Sequence, residues 1–427
     1  MTRRPFSTSP GYLQSIRGLH SLHALTVAGS DDSPEADAVR DGLDQYWYDL
    51  SKTEQDRITG LSADLFSISE PVKEPLPSNP QVQRKLDEAR EATKSGNWDQ
   101  ALTLLRRWGQ HVDPAKLSFL RGTVWHEAGD DRTANLFFEH ASLLDPVTFQ
   151  EFYLANLWQT DPERAREIAG DVLKSDRDFS PEVVVTAAHI QLFGIQGSIV
   201  VESHSIIEDL MSILKRVLVR VETEDHAKLY PNAGELLRLH AISILAECYD
   251  RLGDRRTAIR YLNDSPSIRP DDDAILVKRG ILRYGVESGA VDDLQRAAEL
   301  GSHHPWPYFY LAHHALVEGR YQDCLAMCER GLALTVPDEV RANLHEWLAI
   351  SRAELNYPAD RVRSAFEEAV RLAPDADHIR DNLASFEKAL ADPTGPKPDW
   401  IKLKASTVQA FGRSEYLPPL RPMPVAA

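Results

Sequence analysis

LHAISILAECYDRLGDRRTAIRYLNDSPSIRP, residues Leu239 to Pro270, carries two apolar stripes separated by a turn signal. Ile242, Leu245, Ala246 and Tyr249 recur at helical spacing and share one face. Gly253 can take the left-handed conformation that ends a helix, and Asp254 can cap the next one. Ala258, Ile259 and Leu262 rebuild an apolar stripe before Pro270 closes the unit. Small Ala246 and Ala258 let two antiparallel helices approach closely, while Tyr249 and Leu262 fill the space around them. A hairpin of this size cannot bury both of its faces, so it requires neighbours stacked on either side.

Ala115 to Pro146 repeats the arrangement. Gly122, Trp125, Gly129, Ala134, Phe138, Ala141 and Pro146 occupy the small, aromatic, turn and proline positions. The two stretches together resemble the tetratricopeptide repeat (TPR), a helix–turn–helix of about 34 residues. The resemblance implies an all-α, right-handed TPR-type solenoid of about seven or eight stacked helical hairpins. An N-terminal helical cap and an irregular Pro-rich C-terminal tail would flank it.

The 427 residues are 42% apolar and 26% charged, as in an ordinary folded chain. A net charge of −17 repels phosphate, which argues against nucleic acid or an anionic membrane as partner and suits a basic one. Cys248, Cys324 and Cys328 are too few for a disulfide framework and sit in helical patterns, where a thiol acts as a small apolar filler. No run of about 20 apolar residues appears, so no membrane span is expected. Thr2-Arg3-Arg4-Pro5-Phe6 looks like the start of a twin-arginine export signal, but Arg17, His20 and His23 break the apolar stretch such a signal needs. A cytoplasmic location is the expectation.

Residues 1–80 precede the array as a helical segment with a Pro-rich linker. Leu13, Ile16, Leu19, Leu22 and Leu25 form one stripe. Asp32-Ser33-Pro34-Glu35 starts a second helix running to Trp47, and Ser51 with Glu54 offers a capping box for a third, ending near Leu65. Three such helices could pack on the first repeat as a cap, the alternative being a separate partner-docking module. Tyr46-Trp47-Tyr48 with the Glu54 to Leu65 stretch resembles a segment of certain bacterial TPR proteins and implies no activity. Pro71 to Pro80 reads as a semi-rigid linker.

A first TPR block covers 81–179, with Ala89, Gly96, Trp98, Ala101 and Leu105 in its first repeat and Trp158, Ala165 and Ala169 in a degenerate third. The period fails over 180–234, an irregular helical hairpin in which Ile206, Leu210, Ile213, Leu214, Val217 and Val221 draw a long amphipathic helix. Val183 to Val185 could be strand but has no pairing partner nearby. A second block covers 235–392, and Asp377 to Leu390 would be its capping helix. Residues 393–427 contain prolines, Trp400 and Tyr416 without periodicity, and read as extended or disordered chain unless the aromatics lie back on the array.

Catalytic signatures are missing from the sequence: there is no Gly-rich phosphate loop and no nucleophile elbow. His126-Glu127 and His345-Glu346 open a zinc-protease motif but lack the second histidine, and read as surface pairs. Asp271-Asp272-Asp273 is better read as a helix cap than a calcium loop. His303, His304, His313 and His314 precede Cys324 and Cys328, a set that could suggest a soft metal. In the repeat frame, however, both cysteines take packing positions and His303-His304 fall in a turn. Neither a metal nor a cofactor is expected.

In TPR proteins the first helix of each repeat lines the concave groove. Carried over residue by residue, the resemblance implies a partner-binding aromatic patch of Trp306, Phe309, Tyr310, His313 and Trp347. The competing possibility is that these side chains pack against the next repeat or the tail. The family's chaperone-binding members clamp a peptide carboxylate with Lys, Arg and Asn. Here the fifth positions are Leu86, Phe119, Ser243, Val277, Phe309 and Trp347, which argues against that role. The expected function is a non-catalytic scaffold binding a protein or peptide in its groove, with basic residues on the partner suiting the acidic chain. The alternative is a regulatory sensor whose array closes on a small ligand or on its own tail.

Overall fold

The computed structural model of the chain describes residues 6, 9–194, 201–223, 233–264, 271–409 and 411. Pro270, Tyr416 and Thr2 to Pro5 lie outside these described residues. Among them all regular structure is helical. The chain forms two compact units, and the division falls within the helices Val201–Thr223 and Ala233–Arg251.

The first unit opens with α1 (Pro10–Val27), α2 (Pro34–Trp47) and α3 (Lys52–Ser69). Each start is set by a serine whose hydroxyl accepts from the first turn: Ser9 from Tyr12, Ser33 from Ala36, Ser51 from Glu54. Ser51 and Glu54 form the full capping box. The third helix continues past Leu65 to Ser69, because Leu65 is buried and the helical face carries on through half-buried Ile68. In α1 the buried edge is Tyr12, Ile16 and Leu19, and Leu13 is exposed. Residues 70–79 are extended but pinned: the Leu76 amide donates to the Gln110 carbonyl at 2.8 Å and His111 Nδ1 donates to the Pro77 carbonyl at 2.9 Å.

Paired helices follow: α4 (Pro80–Lys94) with α5 (Trp98–Trp108), α6 (Pro114–Glu127) with α7 (Asp131–Leu144), and α8 (Pro146–Thr160) with α9 (Pro162–Lys174). Then come α10 (Pro181–Gly194) and α11 (Val201–Thr223). Val183 to Val185 is helix, the choice expected of an apolar run that finds no strand to pair with. On α11 the buried stripe is Ile207, Leu210, Leu214, Val217 and Val221, and Ile206 faces out.

The second unit holds α12 (Ala233–Arg251) and α13 (Arg255–Asp264), α14 (Asp273–Arg283) and α15 (Ala290–Glu299), α16 (Trp306–Val317) and α17 (Tyr321–Leu332), α18 (Asp338–Glu354) and α19 (Ala359–Leu372). The terminal helix α20 (Asp377–Ala391) and a short α21 (Ala405–Val408) complete it. In the stretch that opened the sequence reading, Gly253 has φ +83° and Asp254 Oδ1 accepts from the Thr257 amide at 3.1 Å. Ala246, Ala258 and Leu262 are fully buried together, with Tyr249 stacked on Tyr261 at 5.4 Å.

Close helix approach explains two glycines. A Cβ on Gly122 would lie 2.7 Å from the Phe138 ring, and one on Gly280 would lie 2.7 Å from Leu294. In both cases the backbone of the partner helix is 3.3 Å away. The residue of the first helix that faces the second thus requires a missing side chain in both hairpins. Each unit is a stack of such hairpins, the TPR-type arrangement.

Candidate functional site

The first helices of successive hairpins in the second unit, α14, α16 and α18, touch one another directly, and α18 touches α20. They form one continuous face. Trp306, Phe309, Tyr310 and His313 project from α16 and Trp347 from α18, and the structure brings the five together. Phe309 lies 4.8 Å from Trp347, 6.1 Å from Trp306 and 5.5 Å from Tyr310, with His313 5.4 Å from Trp347. None of the five is open to solvent, Trp306 being the most exposed at 5%.

The tail covers them. After a turn at residues 393–395, residues 396–404 run without regular structure and return across the face from α20 toward α14. Trp400 is buried beside Phe366 with its indole N–H on Glu354 Oε1 at 2.7 Å. At the next residue Asn382 grips the backbone: its amide donates to the Ile401 carbonyl and its carbonyl accepts from the Ile401 amide, both at 2.8 Å. Lys402 places its ammonium on the Leu316 carbonyl, 2.8 Å away in the last turn of α16, where the helix dipole favours a cation. His313 Nε2 donates to the Leu403 carbonyl at 2.8 Å, which leaves Nδ1 to accept from the Tyr284 hydroxyl at 2.7 Å. Gln409 bonds Arg255 and the Tyr284 carbonyl, and Tyr310 donates to the Phe411 carbonyl. The Phe411 ring meets Phe309 at 5.8 Å.

Electrostatics follows from burial. Desolvation holds the His313 imidazole below its ordinary range, in keeping with a neutral ring that donates once and accepts once. His378 is pushed the other way by hydrogen bonding to Glu346 at 3.4 Å. Glu346 Oε1 in turn accepts from Asn382 at 2.9 Å, so His378, Glu346 and Asn382 form a line ending on the tail backbone. Asn382 and Glu346 are buried at 0% and 1% exposure.

Sequence reasoning missed both. Asn382 lies between Ile379 and Phe386 in the apolar stripe of α20, and a polar residue in such a stripe was the available signal. Glu346 belongs to a His-Glu pair read as surface. That reading is corrected at both pairs: Glu346 is buried, and so is His126, whose Nδ1 is 2.7 Å from Asp131. Burial follows from facing the neighbouring helix rather than from residue type. The fifth-position residues Leu86, Phe119, Ser243, Val277, Phe309 and Trp347 are all buried.

Cys324 and Cys328 are fully buried inside their hairpin with sulfurs 4.0 Å apart, and burial pushes the Cys328 thiol well up. His303 and His304 lie in the turn before α16, and both nitrogens of His313 are engaged as above. Among the described residues no group of three His, Cys, Asp or Glu is arranged to hold a metal ion. Asp272 is a helix cap, accepting from the Ile275 amide. No helix among the described residues is long and apolar enough to cross a membrane.

No protein-family model matches the sequence, and no curated protein does either. Among solved structures, similarity is found to the C-terminal part of a TPR repeat-containing protein from Cytophaga hutchinsonii, at 11% identity and a TM-score of 0.32, over 69% of this chain and 98% of that one. The yeast Tom70 structure is similar at 12% identity and a TM-score of 0.29, over 74% of this chain and 73% of that one. The P58(IPK) TPR domain is similar at 16% identity and 0.25, over 74% and 100%. The structures found are TPR-repeat proteins, as the sequence resemblance implies, and at these scores the TPR-type fold stands on the hairpins of this chain itself.

Proposed function

We propose that the chain is a non-catalytic repeat scaffold whose second unit binds an extended segment of a protein or peptide across α14, α16, α18 and α20. The observation that carries this reading is the way this face already holds a chain. Asn382, His313 and Tyr310 bond the backbone of the segment they contact, and backbone bonding suits any extended occupant. Aromatic side chains supply the apolar floor, the residue class that dominates binding energy at interfaces. The acidic chain and the Lys402 contact favour an occupant with a basic residue. The tail contacts also favour a second reading, a sensor whose array is closed by its own tail.

A photo-crosslinking residue at Tyr321, beside Lys402 at the rim of the face, tests the proposal. Cross-links from that position to a segment of another protein, lost when excess tail peptide is added, are the expected outcome. Cross-links confined to the chain itself in native extracts would overturn it.

A further inference from the structure

The tail is held as a ligand is held. Its backbone is bonded at Ile401, Leu403 and Phe411, and its side chains are read as well: Val408 is fully buried, and Gln409 bonds Arg255 and the Tyr284 carbonyl. Trp400 is read by Phe366 and Glu354. Lys402 is read by the end of α16 and by the Tyr321 ring, 5.8 Å from the ammonium. Phe411 is read by Phe309. Between them Ile401, Lys404, Ser406 and Thr407 are exposed and unread. The segment joining the tail to α20, from Pro393 to Pro398, is mostly exposed and contains three prolines and a glycine, a tether rather than a packed element. One hydrogen bond is also left unmade beneath the tail: the Trp347 indole N–H is buried without an acceptor.

We propose that this face is a receptor for peptides that run extended through Trp-x-Lys and carry an aromatic residue further along, beyond a helical turn, and that Trp400 to Phe411 is its resident occupant in cis. The inference rests on the scaffold reading above and adds the recognition rule and the competitor. A partner segment with the same pattern displaces the tail, and one that also offers a carbonyl to Trp347 does so more readily. Exposed intervening positions leave the partner free to differ there. The tether sets the threshold. A short linker gives an effective concentration of about 1 mM, so a peptide with an intrinsic Kd of about 10 μM binds the intact chain about 100-fold more weakly than a chain whose tail is released.

The test uses a fluorescent peptide of residues 398–411 and full-length protein in three forms: wild type, Trp400→Ala with Phe411→Ala, and that pair combined with Asn382→Ala. The double variant loses the tail anchors and keeps every receptor side chain. Expected are saturable binding to the double variant at least tenfold tighter than to wild type, a further loss of tenfold or more with Asn382→Ala, and no binding of a scrambled peptide. A folded double variant that ignores the peptide, or equal binding to wild type and double variant, would overturn the proposal. Should the double variant fail to fold, a protease site introduced at Thr394 to Lys397 and cut after folding gives a second route. Exchange of labelled peptide into cut but not uncut protein supports the proposal, and no exchange rejects it. Tails traded between two copies, seen as a dimer before cutting, would reject the cis assignment. A random peptide library on the cut protein separates the two levels of the argument. Enrichment of a different pattern overturns the recognition rule alone, whereas no enrichment of any peptide overturns the scaffold reading with it.

Discussion

Each unit covers an apolar helix face with a segment from one end of the chain, and the two do it by opposite chemistry. In the first, three helices pack through apolar residues such as Ile16, Leu61 and Leu65, and α3 is fixed in place by side-chain charge. Gly60, Asp64 and Ser67 follow one another along α3 at helical spacing. Arg106 crosses against Gly60, where a Cβ would be 2.4 Å from the guanidinium, and pairs with Asp64 at 2.9 Å. Arg121 bonds Asp64 at 3.0 Å and Ser67 at 2.8 Å. Arg57 forks onto Asp99 with both bonds at 2.7 Å, and Phe6 sits against Trp98 and Trp125 at 5.3 and 4.8 Å. In the second unit a largely non-helical segment is held through its backbone at Ile401, Leu403 and Phe411 and through neutral side chains and one lysine, with no ion pair among the contacts described above. Charge fixes one register for a rigid helix, whereas backbone bonding accepts whatever extended chain arrives. The first arrangement suits a permanent lid and the second an exchangeable one.

The largest expected effect breaks the charged side of this contrast. Asp64→Ala leaves Arg121, 6% exposed, buried without its carboxylate. Removing one partner of a buried pair costs about 3–5 kcal/mol. Hydrogen exchange should show lost protection through α1, α3, α5 and α6, with the second unit's protection intact. Unchanged exchange in α3 would mean that Asp64 does not hold the helices down.

Next comes a matched pair. Gly122→Leu in the first unit and Gly280→Leu in the second overpack equivalent hairpins, each at a cost of about 1–3 kcal/mol. Because neighbouring repeats support one another, damage should spread to adjacent hairpins in both. Denaturation midpoints that fall in one variant and not the other would show that the two repeats are not equivalent.

How much of this could be read beforehand divides along the same line. The hairpins were legible because close packing writes itself into residue size: Gly122, Ala246 and Ala258 where helices meet, Gly253 where the chain turns. Ser33 and Ser51 announced their helices for the equally local reason of capping. One turn escaped, where Asn356 takes φ +58° in place of a glycine. The aromatic five were legible as a group through the repeat frame, with the tail as one candidate to lie over them, but the register in which it lies was not. An extended segment has no period, and the groups that grip it, Asn382, His313 and Tyr310, are a polar residue in an apolar stripe and two aromatics. Backbone bonds leave no mark on the sequence of the segment they hold.

A smaller effect is expected from Trp400→Ala in the second unit, for a reason that sharpens the comparison. Truncating a buried tryptophan costs about 3–5 kcal/mol where the surroundings cannot escape. A tethered tail can escape by undocking, so the loss of global stability cannot exceed the free energy of docking. The calorimetric transition of the second unit should therefore shift less than this range implies, while proteolysis within residues 399–411 rises sharply. A full-sized loss of global stability would show that the tail is part of the folding core rather than a displaceable segment.

Acidity gives the smallest effect and the clearest difference in sign. At the first unit's helical lid, His20 bonds Thr133 and His23 bonds Ser69, and burial lowers both pKa values from 6.5. A histidine with a depressed folded pKa stabilises fully above its unfolded value, and that contribution is lost as the pH falls below it. Acidification can only loosen this lid through these two groups. The tail feels two opposed histidines. His313 is depressed by burial, opposed by its hydrogen bond to Leu403 and reinforced by His314 and Lys402, and so on balance favours the folded state with its docked tail above its ordinary pKa. His378 is raised by Glu346, so its contribution is complete below its unfolded value and fades as the pH rises through the folded one. Around the ordinary histidine range the two partly cancel. Protease cleavage after Lys402, measured by mass spectrometry against an unstructured control peptide, reports undocking of the tail. Wild type should change little across that range. His378→Asn should undock on acidification, because only the His313 response remains, and His313→Gln should tighten on acidification, because only His378 is left. If both variants track the wild type, neither histidine reports on the tail, and Asn382 grips Ile401 without help from the line behind it.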